Sequence, residues 1–180
     1  DPGGANSVLV ITDATGVGTI TDDDIGVSIG TGVPSVATEG TDPSITFTVM
    51  LSKAAGSDVT VDYTTANGSA VAGADFVTTS GTLTFAAGET SKDVTVQLLD
   101  NTVYETPEWL QVQLSNAILD PGGANSGLVI SSSTGTATIV DDDIGIFISD
   151  GVPYTAVEGS DASVTFTVSL SAAETVPVTV

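Results

Sequence analysis

The sequence repeats itself at long range. Shifted by 119 residues, the chain aligns with itself without a gap, and more than half of the overlapping positions are identical. Asp1-Pro2-Gly3-Gly4-Ala5-Asn6-Ser7 returns at residues 120–126, and Thr46-Phe47-Thr48-Val49 returns as Thr165-Phe166-Thr167-Val168. Solenoid repeats have periods of roughly 20–50 residues. This period is that of a whole domain of ordinary size. The expected organisation is therefore tandem. Residues 1–24 read as the C-terminal strand of a preceding module, 25–143 as one complete module, and 144–180 as the N-terminal strands of the next. Each junction carries the same word, Asp22-Asp23-Asp24-Ile25-Gly26 and Asp141-Asp142-Asp143-Ile144-Gly145. Three adjacent carboxylates at a boundary make the triplet the first candidate for chemistry.

Within a module the apolar residues recur with period two, which is the signature of half-buried strands. Ile45, Phe47, Val49 and Leu51 fall on one face of Ser44–Leu51, with Thr46 and Thr48 on the other. Val59, Val61 and Tyr63 repeat the pattern. So do Leu83 with Phe85, Val94 with Val96 and Leu98, Leu110 with Val112 and Leu114, and Ala137 with Ile139. With a strand near Val27–Ile29, about seven short strands are expected per module. Turn residues separate them, at Ala66-Asn67-Gly68, Ser80-Gly81, Ala87-Gly88-Glu89 and Asp120-Pro121-Gly122-Gly123. One apolar and one polar face per strand suits antiparallel pairing. The fold class expected is all-β, an immunoglobulin-like antiparallel β-sandwich. Two stretches break the alternation. Residues 67–78 read as a small-residue loop, and residues 115–133 as a long polar excursion.

The formal charge is −21, with Lys53 and Lys92 as the only basic residues and no histidine. Phosphate neutralisation needs Lys and Arg, so nucleic acid is excluded as a natural partner. Small cations are the natural counter-charge. Disorder is the default for an acidic chain of low hydrophobicity, but 41% hydrophobic content in regular alternation argues for a folded one. There is no cysteine to staple the fold. No apolar run approaches the roughly 18 residues of a membrane helix, so membrane insertion of this segment is not expected. The Thr-, Ser- and Gly-rich, Lys-poor composition is that of large secreted surface proteins.

The ordered set of motifs resembles the Calx-β family. It comprises Val61-Asp62-Tyr63-Thr64-Thr65, Asn67-Gly68-Ser69-Ala70, Gly73-Ala74-Asp75-Phe76, Gly81-Thr82-Leu83-Thr84-Phe85, Ala87-Gly88-Glu89, Glu105-Thr106-Pro107-Glu108, Leu114-Ser115-Asn116 and the Asp141–Asp143 triplet. Such modules occur in the regulatory region of sodium–calcium exchangers, in an integrin β subunit and in bacterial surface proteins. The resemblance implies Ca²⁺ ions held at one end of the sandwich. Position by position, it implies ligands at Glu39, Asp75, Asp100, Glu105, Glu108, Asp141, Asp142 and Asp143. Asn101 departs from the pattern, since a second aspartate is frequent there; its amide oxygen can ligate but brings no charge.

The chemistry of the residues agrees. Calcium takes six to eight oxygens, from carboxylates and carbonyls, and hard oxygen donors without His or Cys disfavour zinc and copper. Without a cation the acids repel. Two like charges about 4 Å apart cost about 1 kcal/mol in water and about 4 kcal/mol at an effective dielectric of 20. The bland reading of an acidic triplet is a solvated turn, and the triplet alone favours it; the other acids in family positions reverse that balance. Trp109 could be a carbohydrate platform, but its place beside Leu110 at a strand start favours packing over the site end. Asp62 and Glu89 read as a solvated strand residue and a turn residue.

The expected function is a Ca²⁺-binding structural spacer of a long extracellular or cell-surface array, its partners being calcium ions and the neighbouring modules of the chain. Calcium would stiffen the module and its junction. The alternatives are an adhesive module gripping a glycan or protein, and a filament subunit that self-associates through its incomplete terminal modules. Catalysis is not expected: paired carboxylates are present, but no His, Cys or Ser–Lys arrangement accompanies them.

Overall fold

A computed structural model of the chain describes residues 15–20, 24–119, 127–152, 154–175 and 177–180. The first copy of the triplet falls mostly outside the described residues, as does the Asp120–Gly123 turn. Residues 15–20 are exposed and carry no strand.

The described residues form strands and no helix: β1 (Ile25–Ile29), β2 (Val36–Thr38), β3 (Ser44–Leu51), β4 (Val59–Asn67), β5 (Ser80–Phe85), β6 (Ser91–Gln97), β7 (Glu108–Leu119), β8 (Leu128–Ser132), β9 (Thr134–Val140), β10 (Ile146–Ile148) and β11 (Val168–Leu170). A four-stranded sheet has the order β6-β3-β1-β8, and a five-stranded sheet the order β2-β9-β7-β4-β5. Among the described residues, strands β10 and β11 pair only with each other. The alternation in the sequence is the alternation of burial. Ile45, Phe47 and Val49 of β3 are fully buried, while Thr46 and Thr48 between them face outward. The inward faces of the two sheets meet in one apolar core that includes Phe47, Phe85, Val27, Val61, Val96 and Leu110. Burying each such side chain is favourable by about 1.5–3 kcal/mol.

The structure departs from the expected pattern in three places. Two strands were not legible. Strands β2 and β8 are short, and Val36 and Val129 point outward and stay half exposed, so neither shows an alternating apolar face. The expected polar excursion therefore shrinks, because β7 runs on to Leu119 and β8 begins at Leu128. The pairing is not wholly antiparallel. Strand β1 pairs with β8, and β2 with β9, in parallel. The reason is geometric. Only Ser133 separates β8 from β9, so one extended run crosses from the first sheet to the second. β1 and β2 make the same crossing in the same direction beside it. Side-chain alternation is blind to strand direction and could not reveal this. Finally, the small-residue loop after β4 is packed inward: Ala70 and Phe76 are fully buried, and Phe76 bridges to Leu98.

Candidate metal centre at one end of the sandwich

Strand phase delivers the acids. In β2 and its extension, Ala37 points inward and Val36 outward, so Glu39 falls on the inward phase, and it is only 1% exposed. Its N–H donates to the Val140 carbonyl (3.0 Å), continuing the parallel ladder with β9. Inward phase in β9 runs through Ala137 and Ile139 to Asp141, which therefore lies beside Glu39. Glu108 opens β7 on the phase of Leu110 and Val112. Asp75 is buried at 3% exposure by the packed loop after β4. There its carboxylate accepts the Val71 N–H (2.6 Å) and its carbonyl the Leu99 N–H (2.9 Å). Glu39, Glu108 and Asp141 thus sit at strand ends, and Asp75 joins them from the loop.

Two groups result. Ligand oxygens of Glu39, Asp141 and Asp142 lie within 4.8 Å of one another, as do those of Asp75, Glu105 and Glu108. A backbone link joins the groups: the Glu105 N–H donates to Asp141 Oδ2 (2.7 Å). The other Asp141 oxygen accepts the Asp143 N–H (2.8 Å), which folds the triplet back on itself. Asp143 and Asp100 flank the groups without joining either. Asp100 is exposed beside Gly40, Thr41 and Asp42, and its charge acts on Asp143. The Asn101 amide oxygen is taken by the Val103 N–H (2.7 Å).

The electrostatics are one-sided. Burial pushes the Glu39 carboxyl up to about 7, followed by the negative charges of Asp141, Glu105 and Asp142 beside it. Burial also pushes Glu108 up to about 7, followed by the adjoining Asp75 carboxylate and the charge of Glu105. Asp143 is raised by burial, then by Asp141, Asp142 and Asp100. None of the charges acting on these three groups is positive. Both Glu39 oxygens, Asp75 Oδ1 and Asp143 Oδ2 are buried without a hydrogen-bond donor. A buried ionised carboxylate is held only by donors, by opposite charge or by a metal. At these four oxygens the first two are missing, and the ligand set is all oxygen.

Other acids behave as ordinary surface groups. Asp62, on the outer face, is held below the usual range by the Thr82 hydroxyl and the Asn116 amide. Glu89 is lowered by Lys92, with which it pairs at 2.8 Å, and by the Ala86 N–H. Trp109 lies on the outer face of β7, against Gly68 and 44% exposed, rather than over the acids. Two residues near the acids stand outside the expected ligand set. Gly40 lies directly beneath Asp142. Tyr104, next to Glu105, packs edge-on against Phe147 beyond the junction, with ring centroids 5.5 Å apart. The signal for the first was present in the repeat, where Glu39-Gly40-Thr41-Asp42 returns as Glu158-Gly159-Ser160-Asp161.

Known proteins share this arrangement of strands. The apo-form Calx CBD1 domain superposes with a TM-score of 0.55 at 24% identity, over 67% of this chain and 99% of that one. The calcium binding domain CBD12 of CALX1.1 gives a TM-score of 0.52 at 23% identity, over 66% of this chain and 49% of that one. At these identities the likeness speaks to the fold. In sequence, the chain is 39% identical to sodium/calcium exchanger 2 of Mus musculus over 97 residues, which is 48% of this chain and 10% of the exchanger. The chain thus spans about a tenth of the length of that relative. Residues 22–143 match the Calx-beta domain as a family, from the triplet copy before β1 to the triplet after β9, and the chain belongs to the Calx-beta domain family.

Proposed function

We propose that the acidic end of the sandwich binds Ca²⁺. The observation that carries this reading is the set of buried carboxylate oxygens on Glu39, Asp75 and Asp143 that have no donor. The residues fit the ion: Glu39, Asp141 and Asp142 would hold it in one group, and Asp75, Glu105 and Glu108 in the other. Calcium tolerates this irregular, oxygen-only supply, whereas magnesium demands a near-ideal octahedron and keeps its waters. The ion would supply the positive charge that the protein itself does not. Strand ends and loops that repel one another would then be drawn together. The solved relative described as a calcium binding domain, and the exchanger named for calcium, support the reading.

The role that follows is structural. Residues 1–24, 25–143 and 144–180 are read as successive pieces of a tandem array, and calcium is read as stiffening the junction. Support comes from the path linking the site to the next segment. Glu105 is tied to Asp141, Tyr104 packs on Phe147, and Gly145 is buried beneath both rings and bonded through its N–H to Ser171 Oγ (2.9 Å). The extracellular, surface-array setting rests on the repeat and the Lys-poor composition, and no catalytic role is assigned. Strand exchange between chain ends is the weaker reading.

The experiment is thermal unfolding of the 180-residue chain with excess calcium and with chelator. At a hundredfold excess over Kd, binding to the native state adds about 2.7 kcal/mol. A melting temperature that does not respond to calcium would end the proposal. Small-angle scattering of the same samples tests the stiffening, which requires a longer, less variable particle with calcium.

A further inference from the structure

The turn after β2 is built to receive a carboxylate. The Thr38 carbonyl accepts the N–H groups of Thr41 (3.3 Å) and Asp42 (2.7 Å), and the Asp42 carboxylate accepts the Thr38 N–H (2.8 Å). Closing the turn puts Gly40 at φ +68°, a conformation that residues with a Cβ adopt at a cost. The bare Cα of Gly40 faces Asp142. A Cβ there would lie 3.1 Å from both Cγ and Oδ1 of Asp142, and closer still to Oδ2. Asp142 is thus seated in the space a side chain at position 40 would fill, and that seat brings it to the buried, donor-less carboxylate of Glu39. The other group is formed by Asp75, Glu105 and Glu108, none of which belongs to this turn.

We propose that Gly40 is the positioning residue that admits Asp142 to the Glu39 group, so that one side chain at position 40 disables one of the two acidic groups and leaves the other working. The second copy of the turn separates the two demands on the glycine. In residues 157–161 the Val157 carbonyl accepts the Ser160 and Asp161 N–H groups (3.0 Å each), the Asp161 carboxylate accepts the Val157 N–H (2.6 Å), and Gly159 stands at φ +84°. Nothing lies within 4 Å of a Cβ built on Gly159. The turn alone therefore asks for the positive φ, and only the docked Asp142 asks for the empty space.

The inference rests on the calcium reading above, and the test keeps the two apart. Gly40→Ala is compared with Gly88→Ala in the full chain, by calorimetric titration with calcium ions and by thermal unfolding in chelator. Gly88 lies in the β5–β6 turn with φ +92° and open space around it. Both variants carry the backbone strain, and only Gly40→Ala meets Asp142. The expected result is a loss of at least tenfold in affinity for one class of calcium in Gly40→Ala, with the second class within about twofold of wild type. Gly88→Ala should bind as wild type does. Asp142→Ala closes the cycle: it should produce the same selective loss, and adding Gly40→Ala to it should weaken calcium no further. If Gly40→Ala alone does not fold, the double variant should, with a melting temperature near that of Gly88→Ala. Titrations of Gly40→Ala and Gly88→Ala that coincide, or a further loss in the double variant, would overturn the inference while the calcium reading stands. A wild-type chain that takes up no calcium would overturn both.

Discussion

Residues 25–61 and 144–180 are two copies of one sequence in two settings. In the first copy Val27 pairs with Leu51 and Ile29 with Val49. In the second, Ile146 pairs with Leu170 and Ile148 with Val168, the same register 119 residues on. The bridge between Val33 and Thr46 returns between Val152 and Thr165. The Glu-Gly-x-Asp turn returns with its hydrogen bonds and its positive φ. Burial does not return. Phe47 is fully buried and Phe166 is 57% exposed; Glu39 is 1% exposed and Glu158 lies in the open. Hairpin register and turn geometry are therefore local properties of this sequence. The core and the acidic site are not local: residues of β1 to β3 are buried there only against the strands from β4 to β9, and Glu39 meets its partners only through Asp141 and Asp142 after β9.

The sharpest way to break that comparison is to delete the same ring twice. Phe47→Ala should cost about 3–5 kcal/mol, the usual range for a buried phenylalanine. Phe166→Ala should stay within about 0.5 kcal/mol, as exposed substitutions do. Urea unfolding of the two variants decides. Equal losses would mean that the second copy is also packed, and that its hairpin is not a local structure.

The glutamates give the next contrast, and it has a sign. Folding raises Glu39 from 4.5 to about 7. Between those values the folded chain holds a proton that the unfolded chain has lost. Its contribution to stability is thus fully present below about pH 4.5 and disappears as pH rises through 7. In chelator the melting temperature should fall across that window. Glu39→Gln keeps the group neutral, so it should flatten the slope and stabilise the metal-free chain at pH 7.5 by on the order of 3 kcal/mol. With calcium the same variant should be less stable than wild type, a reversal that a purely structural glutamate would not show. Glu158→Gln should move neither measurement. Below pH 7, where Glu39 and Glu108 take up protons, calcium should bind more weakly, because protons and the ion compete for the same oxygens.

Within the site the contrast is between acids that are gathered and acids that flank. Asp141 belongs to one group and accepts the N–H groups of Glu105 and Asp143. Asp100 is exposed and acts only at a distance, on Asp143. Asp141→Asn should weaken calcium at least tenfold, about 1.4 kcal/mol, and Asp100→Asn by less than about threefold, which is about half that. Calorimetric titration ranks them, and the reverse order would move the ion out toward Asp100.

The same division decides what could be read without coordinates. The β3 alternation placed Ile45, Phe47 and Val49 inward because their burial follows from strand phase, which is local. Phase also carried Glu39 and Asp141 to the sandwich end, each one residue past its strand, and Glu108 there as the first residue of β7. Strand direction is not local, and the parallel pairs β1–β8 and β2–β9 were hidden for that reason. Asp75 reaches the site only because Phe76 plugs the core. Gly40 was legible as a turn glycine but not as a seat, since Asp142 arrives from β9 about a hundred residues later.

The smallest expected effect lies where the two copies meet. Tyr104 lies between β6 and β7 and Phe147 in β10, within the second copy, and their rings stand at 86° to each other over Gly145. An edge-to-face aromatic pair contributes about 0.5–1.5 kcal/mol beyond its buried area. Tyr104→Ala, Phe147→Ala and the double variant therefore form a cycle whose coupling should fall in that range. The dependence on calcium is the informative part. Tyr104 precedes Glu105, whose side chain belongs to one acidic group and whose N–H is bound to an acid of the other. Ordering that loop with calcium should raise the coupling, and chelation should lower it toward zero. A coupling that is the same in both conditions would leave the site and the junction as neighbours without a mechanical connection. The stiffening proposed for the junction would then have to come from the short Ile144-Gly145 link itself.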